Sequence, residues 1–218
     1  MMIFPKRKVD PRIQRMMGKG SIYTSKLGRI PYLRRFDVVL DSISFKNKNV
    51  LDAGGTVRFL MYCPKSTKKN ILIHQDKQEL MENSLEAHGK EAEYAKAINM
   101  DDTAFYYGDL TKTNKLIPDN TFDIITCMDV LEHIPDTMAA ANEIKRMLKP
   151  GGYLVATYPT ENHWYTIARK IIGFKKPHDH YHTAKQLTEN IGKVLKLKKV
   201  KKVYPIVDFT HICFFRKV

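Results

Sequence analysis

Apolar and polar positions change period repeatedly along the chain. From Tyr32 to Ile43 the apolar residues fall at Leu33, Phe36, Val39, Leu40 and Ile43, a spacing that predicts an amphipathic helix docking on a core. Ahead of it, residues 1–30 mix Lys, Arg, Pro and Gly without a period, and a loosely structured basic arm is expected there. Asn49-Val50-Leu51-Asp52 reads as a buried strand running into the turn Ala53-Gly54-Gly55. Further strands are predicted at Ile71–Ile73, at Ala104–Tyr107 ahead of Gly108-Asp109, and at Phe122–Met128. Residues 77–98, rich in Glu, Lys, Ala and Leu, read as helix, as do residues 137–148. Pro150-Gly151-Gly152 is expected to break that last helix before a strand at Tyr153–Thr157.

Strands alternating with helices predict a parallel sheet covered on both faces. The tail differs: a helix near 183–195 precedes two β-rich runs, Leu197–Ile206 and Phe209–Arg216, expected as an antiparallel edge. The predicted fold class is therefore α/β, a mostly parallel seven-stranded sheet with an antiparallel C-terminal edge and helices on both faces. The expected organisation is a basic arm with its docking helix over residues 1–47 and one domain over 48–218.

Composition narrows the class further. With 43% hydrophobic and 28% charged residues the chain is expected to be globular, which excludes a disordered polymer. No stretch approaches the ~20 apolar residues of a membrane span. The basic N-terminal run is interrupted by Arg12, Arg15 and Lys19 and lacks the apolar centre of a signal peptide. Three widely spaced cysteines, Cys63, Cys127 and Cys213, suggest no disulfide framework, so a cytoplasmic protein is expected. The net charge of +14 divides unevenly: +9 over residues 1–50, −4 over 51–150 and +9 over 151–218. An anionic partner, membrane or RNA, would thus be met by the termini.

Acidic residues and glycines fall at strand ends, where sheets of this kind bind ligands. Asp52, Gly54 and Gly55 close the first strand, Asp76 follows the second, Asp109 the third, and Met128-Asp129 ends the fourth. Such carboxylates suit a ligand bearing an ammonium group and ribose hydroxyls and would repel a pyrophosphate. That counts against a nicotinamide-dependent dehydrogenase, as does the incomplete glycine pattern.

Four segments carry a resemblance: Val50-Leu51-Asp52-Ala53-Gly54, Pro118-Asp119-Asn120-Thr121-Phe122-Asp123, Val130-Leu131-Glu132-His133-Ile134-Pro135-Asp136 and Leu148-Lys149-Pro150-Gly151-Gly152-Tyr153-Leu154. In this order the chain resembles the class I S-adenosylmethionine-dependent methyltransferases over residues 48–158. It is most similar to the small-molecule branch that includes the ubiquinone-pathway O-methyltransferases. The resemblance implies a Rossmann-like sheet with S-adenosyl-L-methionine as cofactor. It implies that Asp52 and Gly54 lie beneath the methionine part and that Asp76 accepts from the ribose hydroxyls. It further implies that Asp109 and the Leu110 backbone meet the adenine, and that Cys127 and Met128 line the pocket near the sulfonium. The family usually continues its first motif with alternating glycines, whereas here Thr56 and Arg58 stand in those places. Gly55 supplies freedom for a shifted turn. Arg58 either pairs with the cofactor carboxylate or faces solvent on a helix.

The methyl acceptor is expected to be a small or lipid-like molecule offering oxygen or nitrogen. His133 is a candidate general base, although Leu-Glu-His is also a structural signature of the resembled family. Further candidates follow the fifth strand, in His163-Trp164-Tyr165 and in His178-Asp179-His180-Tyr181-His182, with His180 the catalytic choice. Residues 159–190 are expected to form an acceptor-side insertion or lid. The alternating histidines lack a thiolate or clear fourth ligand, and no metal is assigned. Residues 162–176 place Trp164, Ile167, Ala168, Ile171, Ile172 and Phe174 among Arg169, Lys170, Lys175 and Lys176, a lid helix or else a membrane-lying one. The Lys193–Lys202 run reads as a solvated edge. The competing function is an RNA methyltransferase, or a non-catalytic nucleic-acid-binding protein, on the same fold.

Overall fold

Seven strands carry the molecule: β1 (Asn49–Ala53), β2 (Lys68–His74), β3 (Ala104–Gly108), β4 (Phe122–Met128), β5 (Leu148–Pro159), β6 (Lys196–Lys202) and β7 (Thr210–Arg216). They come from a computed structural model that describes residues 4–8, 10–12, 29–55, 57–74, 92–100, 102–113, 116–160, 162, 166–167, 180–204 and 209–218. One sheet runs in the order β3-β2-β1-β4-β5-β7-β6. The first five strands are parallel; β7 is antiparallel to β5, and β6 is antiparallel to β7. The predicted fold class holds. Chain direction across the sheet reverses between β1 and β4, so a crevice is expected beyond their carboxyl ends.

Alternation along the strands divides the core in two. Val50, Ile71, Ile124, Met128, Val155, Ile212 and Phe214 face one side, where they meet α1 (Arg29–Leu40) and α2 (Val57–Leu60). Leu51, Leu72, Ile125, Cys127, Leu154, Ala156, Cys213 and Phe215 face the other, under α3 (Thr137–Met147) and α4 (Ala184–Gly192). Both sets have the period of two that a pleated strand imposes. The parallel strands β1, β2 and β4 are apolar in consecutive positions because both of their faces are covered.

The helices begin where side chains can satisfy their first amides. Asp136 accepts from the Ala139 N–H at 2.9 Å to cap α3, and Thr183 with Gln186 forms a capping box on α4. The docking helix α1 starts three residues before the expected Tyr32, with Pro31 tolerated in its first turn, and ends at Leu40. Lys6 and Arg7 of the basic arm are tied to it rather than lying loosely beside it. The Lys6 N–H donates to Asp37 Oδ2 at 2.7 Å, Arg7 ion-pairs with the same buried carboxylate, and Lys6 Nζ reaches Asp41 at 2.6 Å. Of the expected helical stretch 77–98, residues 92–97 are helical and 77–91 lie outside the described residues.

One boundary differs from expectation for a clear reason. The break at Pro150-Gly151-Gly152 falls inside β5, which begins at Leu148 directly after α3. Phe122 pairs with Leu148 and Ile124 with Tyr153, so the extra residues bulge out of the ladder. Gly151 has φ +76°, and a Cβ on Gly152 would meet the Lys149 carbonyl at 2.9 Å.

Candidate functional site

The first-strand motif is built around a buried carboxylate. Asp52 on β1 lies in register with Thr126 on β4, and the Thr126 hydroxyl donates to Asp52 Oδ1 at 2.5 Å. Only 1% of Asp52 is exposed, which requires polar partners for its charge. The turn after it is glycine by necessity. Gly54 has φ +69°, its N–H donates to the Leu72 carbonyl at 2.7 Å, and a Cβ there would meet Val130 Cγ1 at 2.4 Å. At Gly55 a Cβ would stand 1.9 Å from Asp52 Oδ2. The carboxylate therefore folds back beneath the turn, and the β1 turn touches the segment after β4. These two contacts lie at the reversal of strand order, where this fold binds ligands.

The field of Asp52 reaches two thiols. Burial, then the nearby Asp52 charge, push Cys63 up to about 12; burial, then Asp52 and Glu132, push Cys127 well above its ordinary value. Burial is the larger cause at both, and both are kept as neutral thiols.

The remaining cofactor candidates fall as follows. Asp109 Oδ1 accepts from the N–H and the hydroxyl of Thr111, at 2.8 and 2.7 Å, forming the turn that follows β3. Leu110 sends its side chain into the core, consistent with an expectation that concerned only its backbone. Cys127 and Met128 point to opposite faces: Cys127 is fully buried against α3 and α4, while Met128 shares the face of Asp52 and Thr126. Arg58 lies half-buried on α2, one turn past the glycines. Asp76 and Thr56 lie outside the described residues. A glycine turn with no room for side chains, a buried acidic group beneath it and the Asp109 carboxylate after β3 fit the nucleoside and amino-acid ends of S-adenosylmethionine.

The two candidate catalytic histidines, His133 and His180, converge. His133 ends a 3₁₀ turn, Leu131–His133, that follows β4; His180 precedes α4; and their rings meet edge to face with centroids 4.6 Å apart. The Tyr181 N–H donates to the Glu132 carbonyl at 2.9 Å, and a His182 ring nitrogen lies 2.9 Å from the Pro135 carbonyl. Glu132, 1% exposed, brings its carboxylate to the same place, and ligand atoms of Glu132, His133 and His180 all lie within 4.8 Å of one another. Sequence reasoning weighed Glu132 only as part of a signature, because its proximity to His180 is tertiary. His163, Trp164, Tyr165, His178 and Asp179 lie outside the described residues, as does most of 162–176.

A second group escaped the sequence. Arg35 on α1, 2% exposed, ion-pairs with Asp129 just after β4 and stacks 4.0 Å from the Tyr32 ring centroid. Thr157 joins them: its hydroxyl donates to Asp129 Oδ1 at 2.7 Å, while its Oγ accepts from the Asp129 N–H at 3.0 Å. Asp129 has φ +56°, so this network holds the backbone in the sharp turn that launches the His133 segment.

Comparison with known proteins bears on the family and the fold. The methyltransferase-domain family model matches residues 32–217. An uncharacterized methyltransferase of Schizosaccharomyces pombe is 37% identical over 114 residues, half of this chain and 39% of that protein. A demethylmenaquinone methyltransferase of Staphylococcus aureus is 30% identical over 144 residues, 60% of this chain and 55% of that protein. The chain thus spans about half, or less, of the length of these relatives. Among solved structures, a SAM-dependent methyltransferase from Aquifex aeolicus superposes with a TM-score of 0.67 at 17% identity, covering 97% of this chain and all of that one. The chain belongs to the methyltransferase-domain family, within the class I S-adenosylmethionine-dependent methyltransferases.

Proposed function

We propose that the chain transfers a methyl group from S-adenosylmethionine to an oxygen or nitrogen of a small-molecule acceptor. The observation that carries this reading is the Asp52 carboxylate folded under the Gly54-Gly55 turn, at the reversal between β1 and β4. When bound, the cofactor supplies a methyl already activated on a sulfonium, so the protein's task is alignment and exclusion of water. Asp52 and Gly54 would lie beneath the methionine part, with Asp109 and the Leu110 backbone toward the adenine and Asp76 toward the ribose. Met128 would border the sulfonium with the β4 backbone at Cys127, and Arg58 would reach the cofactor carboxylate. His133, which follows the carboxyl end of β4, and His180, whose ring meets it, form the wall on the acceptor side. A lipid-like acceptor, of the kind the S. aureus relative's name denotes, belongs to the same proposal.

Co-crystallisation with S-adenosylhomocysteine tests the placement. The ligand is expected across Gly54 and Gly55 with its adenine beside Asp109; density elsewhere, or none at saturating ligand, would contradict it. His180→Ala is expected to retain cofactor binding and to lose at least tenfold in methyl transfer once an acceptor is in hand.

A further inference from the structure

Two imidazoles and a carboxylate, carried by segments 47 residues apart, meet beside the proposed acceptor wall. We propose that Glu132, His133 and His180 form a binding site for one divalent transition-metal cation of the zinc type. The chemistry of the set selects the metal class. Two nitrogen ligands and one oxygen suit Zn²⁺, Co²⁺ or Fe²⁺, whereas Mg²⁺ and Ca²⁺ prefer oxygen alone. Three protein ligands also leave a coordination position for water or an incoming oxygen, as in metal sites that act on substrates.

The geometry is close to what binding requires. The ligand atoms lie within 4.8 Å of one another, and a tetrahedral cation with bonds of ~2.1 Å needs ~3.4 Å between them. Closing that difference calls on the two imidazoles, which are only partly buried, whereas Glu132 is held at depth. The backbone is fixed on both sides of the cluster: Tyr181 N–H donates to the Glu132 carbonyl, and His182 lies against the Pro135 carbonyl. Burial places the Glu132 carboxylate, 1% exposed, at the inner end of the cluster, with the two partly buried imidazoles toward its outer side. His182 is engaged outside the cluster and is not a ligand, which separates this site from simple chelation by alternating histidines.

The cation site stands on its own geometry. A role for the cation in holding an acceptor oxygen rests on the methyltransferase reading.

The test uses the full chain, freed of metal by a chelator and dialysed, then titrated with Co²⁺ followed by its visible absorption. Zn²⁺ serves as competitor and Mg²⁺ as control. Saturation at one equivalent is expected, with Zn²⁺ displacing Co²⁺ and excess Mg²⁺ leaving the spectrum unchanged. His180→Ala, at a half-exposed position where the fold tolerates truncation, should bind at least tenfold more weakly, and His182→Ala within about twofold of the unaltered chain. Glu132→Gln, if it folds despite its burial, should bind as weakly as His180→Ala. Binding by His180→Ala equal to that of the unaltered chain, or no saturable binding at all, would overturn the site. S-adenosylhomocysteine titrated into the same samples separates the two readings. Metal binding without cofactor binding overturns the methyltransferase reading alone, and the reverse overturns the cation site alone.

Discussion

At the scale of single residues, the glycine turn is the most constrained part of the proposed cofactor site. A side chain at Gly54 would have to adopt φ near +69° while colliding with Val130. Gly54→Ala is therefore expected to cost about 2 kcal/mol, lowering the melting temperature by roughly 4–8 °C in calorimetry. Gly55→Ala acts differently. Its methyl would displace the Asp52 carboxylate from beneath the turn, so its expected signature is a loss of S-adenosylhomocysteine affinity larger than the accompanying loss of stability. Equal affinity in Gly55→Ala and the unaltered chain would detach Asp52 from the ligand. The sequence exposed Asp52, Gly54 and Gly55 because a strand, an acid and a glycine turn are adjacent along the chain. It could not expose why Gly55 replaces the missing alternating glycines. That reason is the carboxylate lying 1.9 Å from where a Cβ would stand.

At the scale of elements, two contacts hold the site's frame. Arg35 ties α1 to Asp129 and Thr157, and its removal leaves the Asp129 carboxylate without its buried guanidinium. Because Asp129 keeps some exposure, Arg35→Leu is expected to cost about 2–3 kcal/mol, below the full penalty of a wholly buried pair. Urea unfolding measures it, and a change below about 0.5 kcal/mol would contradict the docking role of α1. On the other face, Glu143 of α3 accepts from Arg146 at 3.1 Å and from the Thr113 hydroxyl at 2.6 Å, binding α3 to the segment before β4. Burial raises the Glu143 carboxyl, but hydrogen bonds from Arg146 and Thr113 and the Arg146 charge outweigh it and hold the group below its ordinary value. A lowered folded value means stability that is full above the unfolded value of ~4.3 and lost as pH falls through the folded one. The stability difference between the unaltered chain and Glu143→Gln should therefore be constant near pH 7 and shrink below about pH 4. A difference that grows on acidification would contradict this assignment.

Element order was legible because each strand and helix announces its own period; β4 spans the predicted Phe122–Met128. The start of β5 was not, since proline and two glycines read as a stop when pairing with Phe122 is unseen. The meeting of His133 with His180, and of Arg35 with Asp129, was illegible for the same cause. Separations of 47 and 94 residues leave no trace in local pattern.

At the scale of the whole molecule, charge is divided between the strand ends and the edge of the sheet. The negative centre of the chain supplies the strand-end carboxylates, whereas β6 at the sheet edge is exposed along its length and carries five lysines. Edge lysines deter pairing with another sheet, and Leu197 and Val200 between them remain exposed. Among the described residues no helix is long and apolar enough to cross a membrane. If the basic termini served RNA, a salt-sensitive gel shift would appear; no shift is expected at about 0.15 M salt.

The central claim is that the β1–β4 crevice binds S-adenosylmethionine over the Asp52 carboxylate. Isothermal titration of the full chain with S-adenosylhomocysteine tests it most directly. Saturable binding at one site is expected, weakened at least tenfold in Asp52→Asn while circular dichroism and melting stay near those of the unaltered chain. A folded protein that binds no S-adenosylhomocysteine, or binds it equally well with Asn at position 52, would contradict the claim.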